Sequence, residues 1–91
     1  MATGRDMPPT ADLTEADLEQ ADLRGANLRS TSLTGAQLVG ANLTGACLDG
    51  AHLSATNFRH ANLDGVSLDQ AIWDQATTWP DGRHDAPGPA G

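Results

Sequence analysis

The units Ala41-Asn42-Leu43-Thr44-Gly45 and Ala61-Asn62-Leu63-Asp64-Gly65 carry the pattern that decides the fold of this 91-residue chain. Each unit reads small residue, Asp or Asn, Leu, a variable residue and Gly. The pattern recurs thirteen times between residues 11 and 75, and all eleven leucines occupy its third position. Phe58 and Trp73 fill the two units that lack leucine. Such a long regularity is the mark of a repeat architecture.

A five-residue period excludes both a continuous helix and a continuous strand. In an α-helix, five residues advance about 500°, so successive leucines would point in different directions around the axis. In a flat strand, an odd period places successive leucines on opposite faces. Within one unit, however, the small residue and the leucine face the same side, and the residue between them faces away. The pattern therefore predicts short straight edges joined by corners, and glycine at the fifth position suits a corner with positive φ.

The third positions of the units form the predicted core ladder. Its members are Leu13, Leu18, Leu23, Leu28, Leu33, Leu38, Leu43, Leu48, Leu53, Phe58, Leu63, Leu68 and Trp73. The other inward position holds ten alanines, two threonines and one valine, which allows the walls of the coil to approach closely.

These units resemble the pentapeptide-repeat family, whose pattern is a small residue, Asp or Asn, Leu or Phe, and two variable positions. Ala21-Asp22-Leu23-Arg24-Gly25 matches that pattern fully, and the resemblance covers residues 11–75 of 91. It implies an all-β fold, a right-handed quadrilateral parallel β-helix with one pentapeptide on each side. Four units give 20 residues per coil and about three coils in all. With stacked strands about 4.8 Å apart, the rod would be about 16 Å long.

The pattern divides the chain into four segments. Residues 1–10 are expected to be a flexible lead, 11–75 the β-helix, 76–81 a cap or turn, and 82–91 a disordered Pro/Gly-rich tail. A fourteenth unit would place Thr78 where leucine belongs, so the repeat is predicted to stop at Gln75. Trp73 and Trp79 are predicted to cap the open coil, and a dimer contact is the alternative, because exposed tryptophan often anchors interfaces.

Charge is distributed unevenly along the repeat. The chain carries 12 acidic and 5 basic residues, for a net charge of −7, and residues 30–48 carry no charge. An acidic chain without a basic patch is not expected to bind nucleic acid directly. The acids of the first coil are a candidate interaction surface; they are Asp12, Glu15, Asp17, Glu19 and Asp22.

The sequence offers no arrangement that is typical of catalysis or metal binding. The possible ligands do not form a set with recognised spacing; they are Cys47, His52, His60 and His84. Nothing selects a nucleophile, base and orienting group among Ser54, Ser67, His52 and Asp49. The glycines are corner residues and not a phosphate-binding loop. We therefore expect no enzyme activity, no cofactor and no metal.

Location is predicted from what the sequence lacks. No run of about 20 apolar residues predicts a membrane span, and the first ten residues do not resemble a signal peptide. With a single cysteine, these features favour a cytoplasmic protein. The absence of lysine beside abundant Ala, Gly, Asp and Arg is typical of a GC-rich bacterial genome.

Three functions are compatible with this composition. The first is a small protein-binding or scaffold module with an unknown protein partner, which could include a second copy joined end to end. The second is a mimic of DNA, because some members of the family imitate duplex DNA, bind DNA gyrase and confer quinolone resistance. The third is a structural module or a remnant of a longer repeat protein.

Overall fold

A computed structural model describes residues 11–81, so the predicted lead (1–10) and tail (82–91) lie outside the described residues. Strand pairing in this range consists of single-residue parallel bridges, and there is no helix. Nine of the ten bridges join residues that are 20 apart, so the backbone returns to the same place every four units. The bridge residues are Asp12, Asp17, Asp22, Asn27, Ser32, Gln37, Asn42, Cys47, His52, Asn57, Asn62, Ser67, Ile72 and Thr78.

Three backbone hydrogen bonds per unit hold successive coils together. The Leu13 N–H donates to the Ser32 carbonyl (2.8 Å), and the Ser32 N–H donates to the Ala11 carbonyl (2.9 Å). The Glu15 N–H at the corner donates to the Thr34 carbonyl (2.8 Å). The same three bonds recur at most later units, so the register is fixed by the main chain on every side.

Each corner is a tight turn that needs one left-handed residue. The Ala16 N–H donates to the Leu13 carbonyl (2.9 Å), and Glu15 has a φ of 60°, as the third residue of a type II turn requires. Every fifth position from 15 to 70 has a positive φ, and only six of these twelve are glycine. A left-handed non-glycine residue costs roughly 1–2 kcal/mol. At five of the other six corners the N–H of that residue donates to the next coil, which offsets the strain; Gln70 is the exception within residues 11–81.

The polar residue that precedes the leucine braces the corner that follows. The Asn42 Oδ1 accepts hydrogen bonds from the Thr44 N–H (3.1 Å) and the Thr44 hydroxyl (2.6 Å). All Asp and Asn side chains in this position accept the N–H two residues further on; they are Asp12, Asp17, Asp22, Asn27, Asn42, Asn57 and Asn62. The polar row is therefore part of the corner architecture.

The interior is a packed column of leucine and small side chains. Leu23 through Leu53 and Phe58 in the third position are 0% exposed, and Leu63 and Leu68 are nearly as well buried. Leu13 and Leu18, in the first described units, are only partly buried. The column is thus sealed in its middle and more open at its N-terminal end.

Two interior threonines join neighbouring coils through their hydroxyls. The Thr56 hydroxyl donates to the Leu33 carbonyl, and the Thr77 hydroxyl donates to the Leu53 carbonyl, both at 2.6 Å. Thr31 is also fully buried, but its hydroxyl has no hydrogen-bond partner within residues 11–81. In both bonded cases the hydroxyl reaches toward the coil on the N-terminal side.

The pairing continues past Gln75, where the sequence predicts that the repeat stops. Asn57 pairs with Thr78, 21 residues away, so the last unit holds one extra residue. Thr77 takes the small inward position and Trp79 takes the leucine position. The corner moves with them, because the Thr77 N–H donates to the Asp74 carbonyl (3.1 Å) and not to Trp73.

Asp74 makes this extra residue possible. In a regular unit, the Gly35 N–H donates to the Ser54 carbonyl (2.9 Å). At the equivalent place one coil later, the Ala55 N–H donates to the Asp74 carboxylate (3.1 Å). The same oxygen accepts the Ala76 N–H (3.0 Å). The side chain thus replaces a carbonyl that the insertion displaces. The hydrogen bonds to the carboxylate, first of all the one from the Ala55 N–H, lower the pKa of Asp74.

Candidate interaction surfaces

The first two described units (residues 11–20) form an open sheet edge, and we call these units together with Ala21 and Asp22 the N-terminal edge (residues 11–22). Within residues 11–81, the N–H groups of Asp12 and Asp17 have no acceptor, and their carbonyls have no donor. One coil further on, the N–H and carbonyl of Ser32 are both bonded. An open edge of this kind can pair with another chain.

The predicted acidic surface lies along this edge, but its five carboxylates differ in their partners. Those of Asp12 and Asp17 accept backbone N–H groups of their own corners (3.0 and 3.2 Å). Asp22 makes a two-point ion pair with Arg24 (2.8 and 2.9 Å). The carboxylates of Glu15 and Glu19 make no ion pair or hydrogen bond within the described residues. The Glu15 side chain lies against Gly35 of the next coil, so Glu19 is the better placed of the two for a partner at the edge.

Local hydrogen bonds shift the pKa of two groups near this edge, Asp12 and Arg24. The Thr14 hydroxyl and N–H stabilise the charged form of Asp12 and lower its pKa. The Asp22 carboxylate raises the pKa of Arg24, again mainly through the hydrogen bond between them.

Partly exposed apolar side chains lie next to these charges. Leu13, Leu18 and Ala21 are partly buried, whereas Leu33 and Leu38 directly below them are 0% exposed. The N-terminal edge thus combines unpaired backbone groups, accessible apolar surface and negative charge.

The C-terminal end is closed by aromatic rings. Trp79 stacks on Phe58 with ring centroids 5.3 Å apart and planes 5° apart. Trp73 meets Trp79 edge-on at 5.5 Å and 90°. Trp79 is only 2% exposed, so its ring fills the column and does not project toward a partner, and Trp73 is partly buried beside it.

A shallow depression adjoins this aromatic group. It has a volume of about 500 Å³ and is lined by Ala61, Asn62, Leu63, Asp64, Gly65 and Pro80. Its lining contains a single ionisable side chain and no nucleophile, so it offers no catalytic arrangement.

One polar cluster lies on a side wall. The Asp49 carboxylate accepts a short hydrogen bond from the Ser67 hydroxyl and one from the Asp69 N–H (2.9 Å). These bonds, that from Ser67 foremost, lower the pKa of Asp49, and the half-buried Cys47 thiol adds to the effect. The Asp49 carboxylate therefore joins two neighbouring coils through its bonds to Ser67 and Asp69.

The other candidate ligands and nucleophiles are not brought together. His52 is exposed in the row between Ser32 and Ile72, and His60 is exposed at a corner. Among residues 11–81, no three His, Cys, Asp or Glu side chains converge as a metal site would require, and His84 lies outside the described residues. That range also contains no helix long and apolar enough to cross a bilayer.

Sequence reasoning missed Asp74 and the extra residue. The signal was present, because Thr77-Thr78-Trp79 repeats the order small, polar, large once the frame is moved by one residue. A strict five-residue frame hides it.

Comparison with known proteins agrees with the repeat. A family model described as Pentapeptide repeats (8 copies) matches residues 11–50 and 36–72. Among solved structures, the chain is similar to alr5209, a pentapeptide repeat protein from Nostoc PCC 7120, with 35% identity, a TM-score of 0.44, and coverage of 85% of this chain and 75% of that one. No curated protein sequence matches the chain.

Two further solved structures are longer than this chain. AT2G44920, a pentapeptide repeat protein from the Arabidopsis thaliana thylakoid lumen, is 33% identical over 78% of this chain and 52% of its own, with a TM-score of 0.39. HetL, a Nostoc pentapeptide repeat protein involved in heterocyst differentiation regulation, is 36% identical over 85% of this chain and 42% of its own, with a TM-score of 0.38.

Proposed function

Because the chain belongs to the pentapeptide-repeat family, we propose that it is a non-enzymatic protein-binding or scaffold module. The observation that carries the proposal is the N-terminal edge, where backbone groups and a Glu19 carboxylate that are unpaired within residues 11–81 lie beside partly exposed leucines. When another polypeptide pairs with the edge, the backbone groups form hydrogen bonds, the leucines are covered and the carboxylate can be paired.

Rigidity supports this role. The edge is fixed from below by bonds such as those from Leu13 and Leu18 to Ser32 and Gln37, both 2.8 Å. A preformed edge loses little conformational entropy on binding, so even a small contact area can give useful affinity. The absence of a catalytic arrangement within residues 11–81 is compatible with a binding role and does not itself argue for one.

The hand, the four sides and the number of coils are part of the same proposal. We take the coil to be a right-handed quadrilateral β-helix of about three coils, extended by the offset unit at residues 77–81. The run of bridges from Asp12 through Ser32 and His52 to Ile72 supports that count. A crystal structure would test the hand of the coil directly.

The DNA-mimic alternative receives less support. A phosphate-like track needs charge along the whole rod, and residues 30–48 carry none. One duplex turn spans about 34 Å, roughly twice the length expected for three coils. A gyrase supercoiling assay that micromolar protein inhibits would favour the mimic over the binding module.

A purely structural or remnant module is the other alternative. An obligate stacking unit would associate through its open edges, whereas a binding module with closed aromatic packing at Trp79 should be monomeric. Size-exclusion chromatography separates the stacking unit from the binding module, and a stable monomer is the expected result.

We also propose a cytoplasmic location for the module, which fractionation of the host would check.

Affinity capture from the native host tests the proposed function. Wild-type protein is the bait, and the unfolded variant Leu43→Asp is the control for adhesion to exposed apolar surface. We expect at least one partner that is retained in stoichiometric amount by wild type alone. Recovery of the same background proteins by both baits would contradict the proposal.

A further inference from the structure

We propose that the N-terminal edge binds an extended, basic segment of a partner protein, which adds to the coil as a further parallel rung. This inference rests on the proposed function as a binding module and names the chemistry of the partner. It is carried by the register of the edge, by its apolar floor and by its charge.

The register of the existing coils specifies the bonds that such a segment would make. The free N–H groups of Asp12 and Asp17 would donate to carbonyls of the segment, as the Ser32 N–H donates to Ala11. The free carbonyls of the same two residues would accept N–H groups, as Ser32 accepts from Leu13. The carbonyls of Thr14 and Glu19 would each accept one more at the corners.

The apolar floor specifies the inward side chains of the segment. Leu13 and Leu18 are partly exposed, although the leucines one coil below are completely buried. An apolar side chain above each leucine would extend the column by one layer. The two leucines lie on adjacent sides of the coil, so the segment must turn a corner after about five residues.

Charge specifies the outward side chains. Outward residues of an added rung would stand about 4.8 Å above Asp12, Thr14, Asp17 and Glu19. Residues 11–23 contain five acids and no base, and the carboxylates of Glu15 and Glu19 have no partner within the described residues. Arginine or lysine at these positions would be attracted, whereas an acidic segment, including the same edge of a second copy, would be repelled.

A designed peptide tests the inference. The probe is a ten-residue peptide of two Ala-Arg-Leu-Arg-Gly units, which reproduces the pattern of the coil with basic outward residues. The control peptide carries Glu in place of each Arg. Titration followed by amide NMR should show saturable binding of the basic peptide to the full-length protein. The shifts should be centred on Asp12, Leu13, Asp17 and Leu18, and the acidic peptide should cause none.

Two matched double variants separate edge pairing from simple charge attraction. Asp12→Pro with Asp17→Pro removes both N–H donors, which have no partner in the coil, so the variant should fold. Asp12→Ala with Asp17→Ala removes the same charge and the same corner bonds to Thr14 and Glu19, and keeps both donors. We expect the proline variant to bind the basic peptide at least about tenfold more weakly than the alanine variant. Circular dichroism and thermal melting verify that both are folded.

Specific outcomes would overturn the inference. If the two double variants bind the basic peptide with equal affinity, charge attraction alone explains the binding. If the NMR shifts are centred on Leu63 and Leu68, the peptide binds at the C-terminal end and not at the N-terminal edge. If the proline variant still captures the same host partner as wild type, the edge inference fails while the proposed function survives. If neither the peptide nor a host partner binds, both fail.

Discussion

The two ends of the coil share one backbone pattern and differ in how it is closed. At the C-terminal end, Trp79 stacks on Phe58, and Asp74 replaces a displaced carbonyl with its side chain. At the N-terminal edge, Leu13 and Leu18 remain partly exposed and the backbone groups of Asp12 and Asp17 are unpaired. The contrast shows that the regular repeat forms the walls of the coil, whereas residues that depart from the repeat close its C-terminal end.

We expect the largest loss of stability from a charge placed at the centre of the column. The same substitution at the N-terminal edge should cost much less. Leu43→Asp buries an unpaired carboxylate at a position that is 0% exposed, which should cost about 4 kcal/mol or more and unfold the chain. Leu13→Asp, at a partly exposed position, should cost about 1 kcal/mol. Circular dichroism and urea unfolding would show this, and two equally unfolded variants would refute the open edge.

The second prediction compares the two ends directly. Trp79→Ala removes a nearly buried ring and should destabilise the chain by about 3–5 kcal/mol, whereas Leu18→Ala should cost about 1–2 kcal/mol. Urea denaturation measures both. If Trp79→Ala is the milder change, Trp79 does not close the column.

The third prediction uses two buried threonines that differ only in hydrogen bonding. Thr56→Val loses the bond to the Leu33 carbonyl and should destabilise by about 0.5–1.5 kcal/mol. Thr31→Val removes a hydroxyl that has no partner in the described part of the chain, and it should stabilise the fold by about 1 kcal/mol. Thermal unfolding of the two variants measures the sign of each change. If Thr31→Val destabilises the chain, the Thr31 hydroxyl has a hydrogen-bond partner.

The smallest effect concerns pH at the C-terminal end. The pKa of Asp74 is lowered in the fold, so its charged form stabilises the native state above the unfolded pKa of about 3.9. That contribution is lost as the pH falls through the native pKa. The melting temperature of wild type should therefore exceed that of Asp74→Asn at pH 7, and the difference should shrink below about pH 4. A difference independent of pH would show that the carboxylate charge plays no part.

Most of the walls could be predicted from the sequence. A five-residue period admits few backbones, so the inward leucines, the corners and the polar row follow from the order of residues in a unit such as Ala41-Asn42-Leu43-Thr44-Gly45. The resemblance to the pentapeptide-repeat family, now confirmed by the family match, supplied the four sides. The seven Asp and Asn corner bonds follow from the known tendency of these side chains to cap turns.

The sequence predicts a cap formed by Trp73 and Trp79, but not the bonds that complete the two ends, because those bonds join residues from different coils. Nothing in the local sequence says that the Asp74 carboxylate would bond the Ala55 N–H from the coil above. Left-handed Ala55 and His60 likewise contradict local preference, and they are tolerated because cross-coil bonds hold the corners. Which acids of the N-terminal edge are free also depended on geometry, since Asp22 pairs with Arg24 and Glu19 does not.

Hydrogen exchange at single amides tests the contrast between the ends most directly. The account predicts slow exchange for Phe58, His60 and Thr78, whose N–H groups donate at 2.7, 3.0 and 2.9 Å. It predicts fast exchange for Asp12 and Asp17, whose N–H groups have no acceptor within residues 11–81. Equal protection of the two sets, or fast exchange at Phe58 and Thr78, would contradict a closed C-terminal end and an open N-terminal edge.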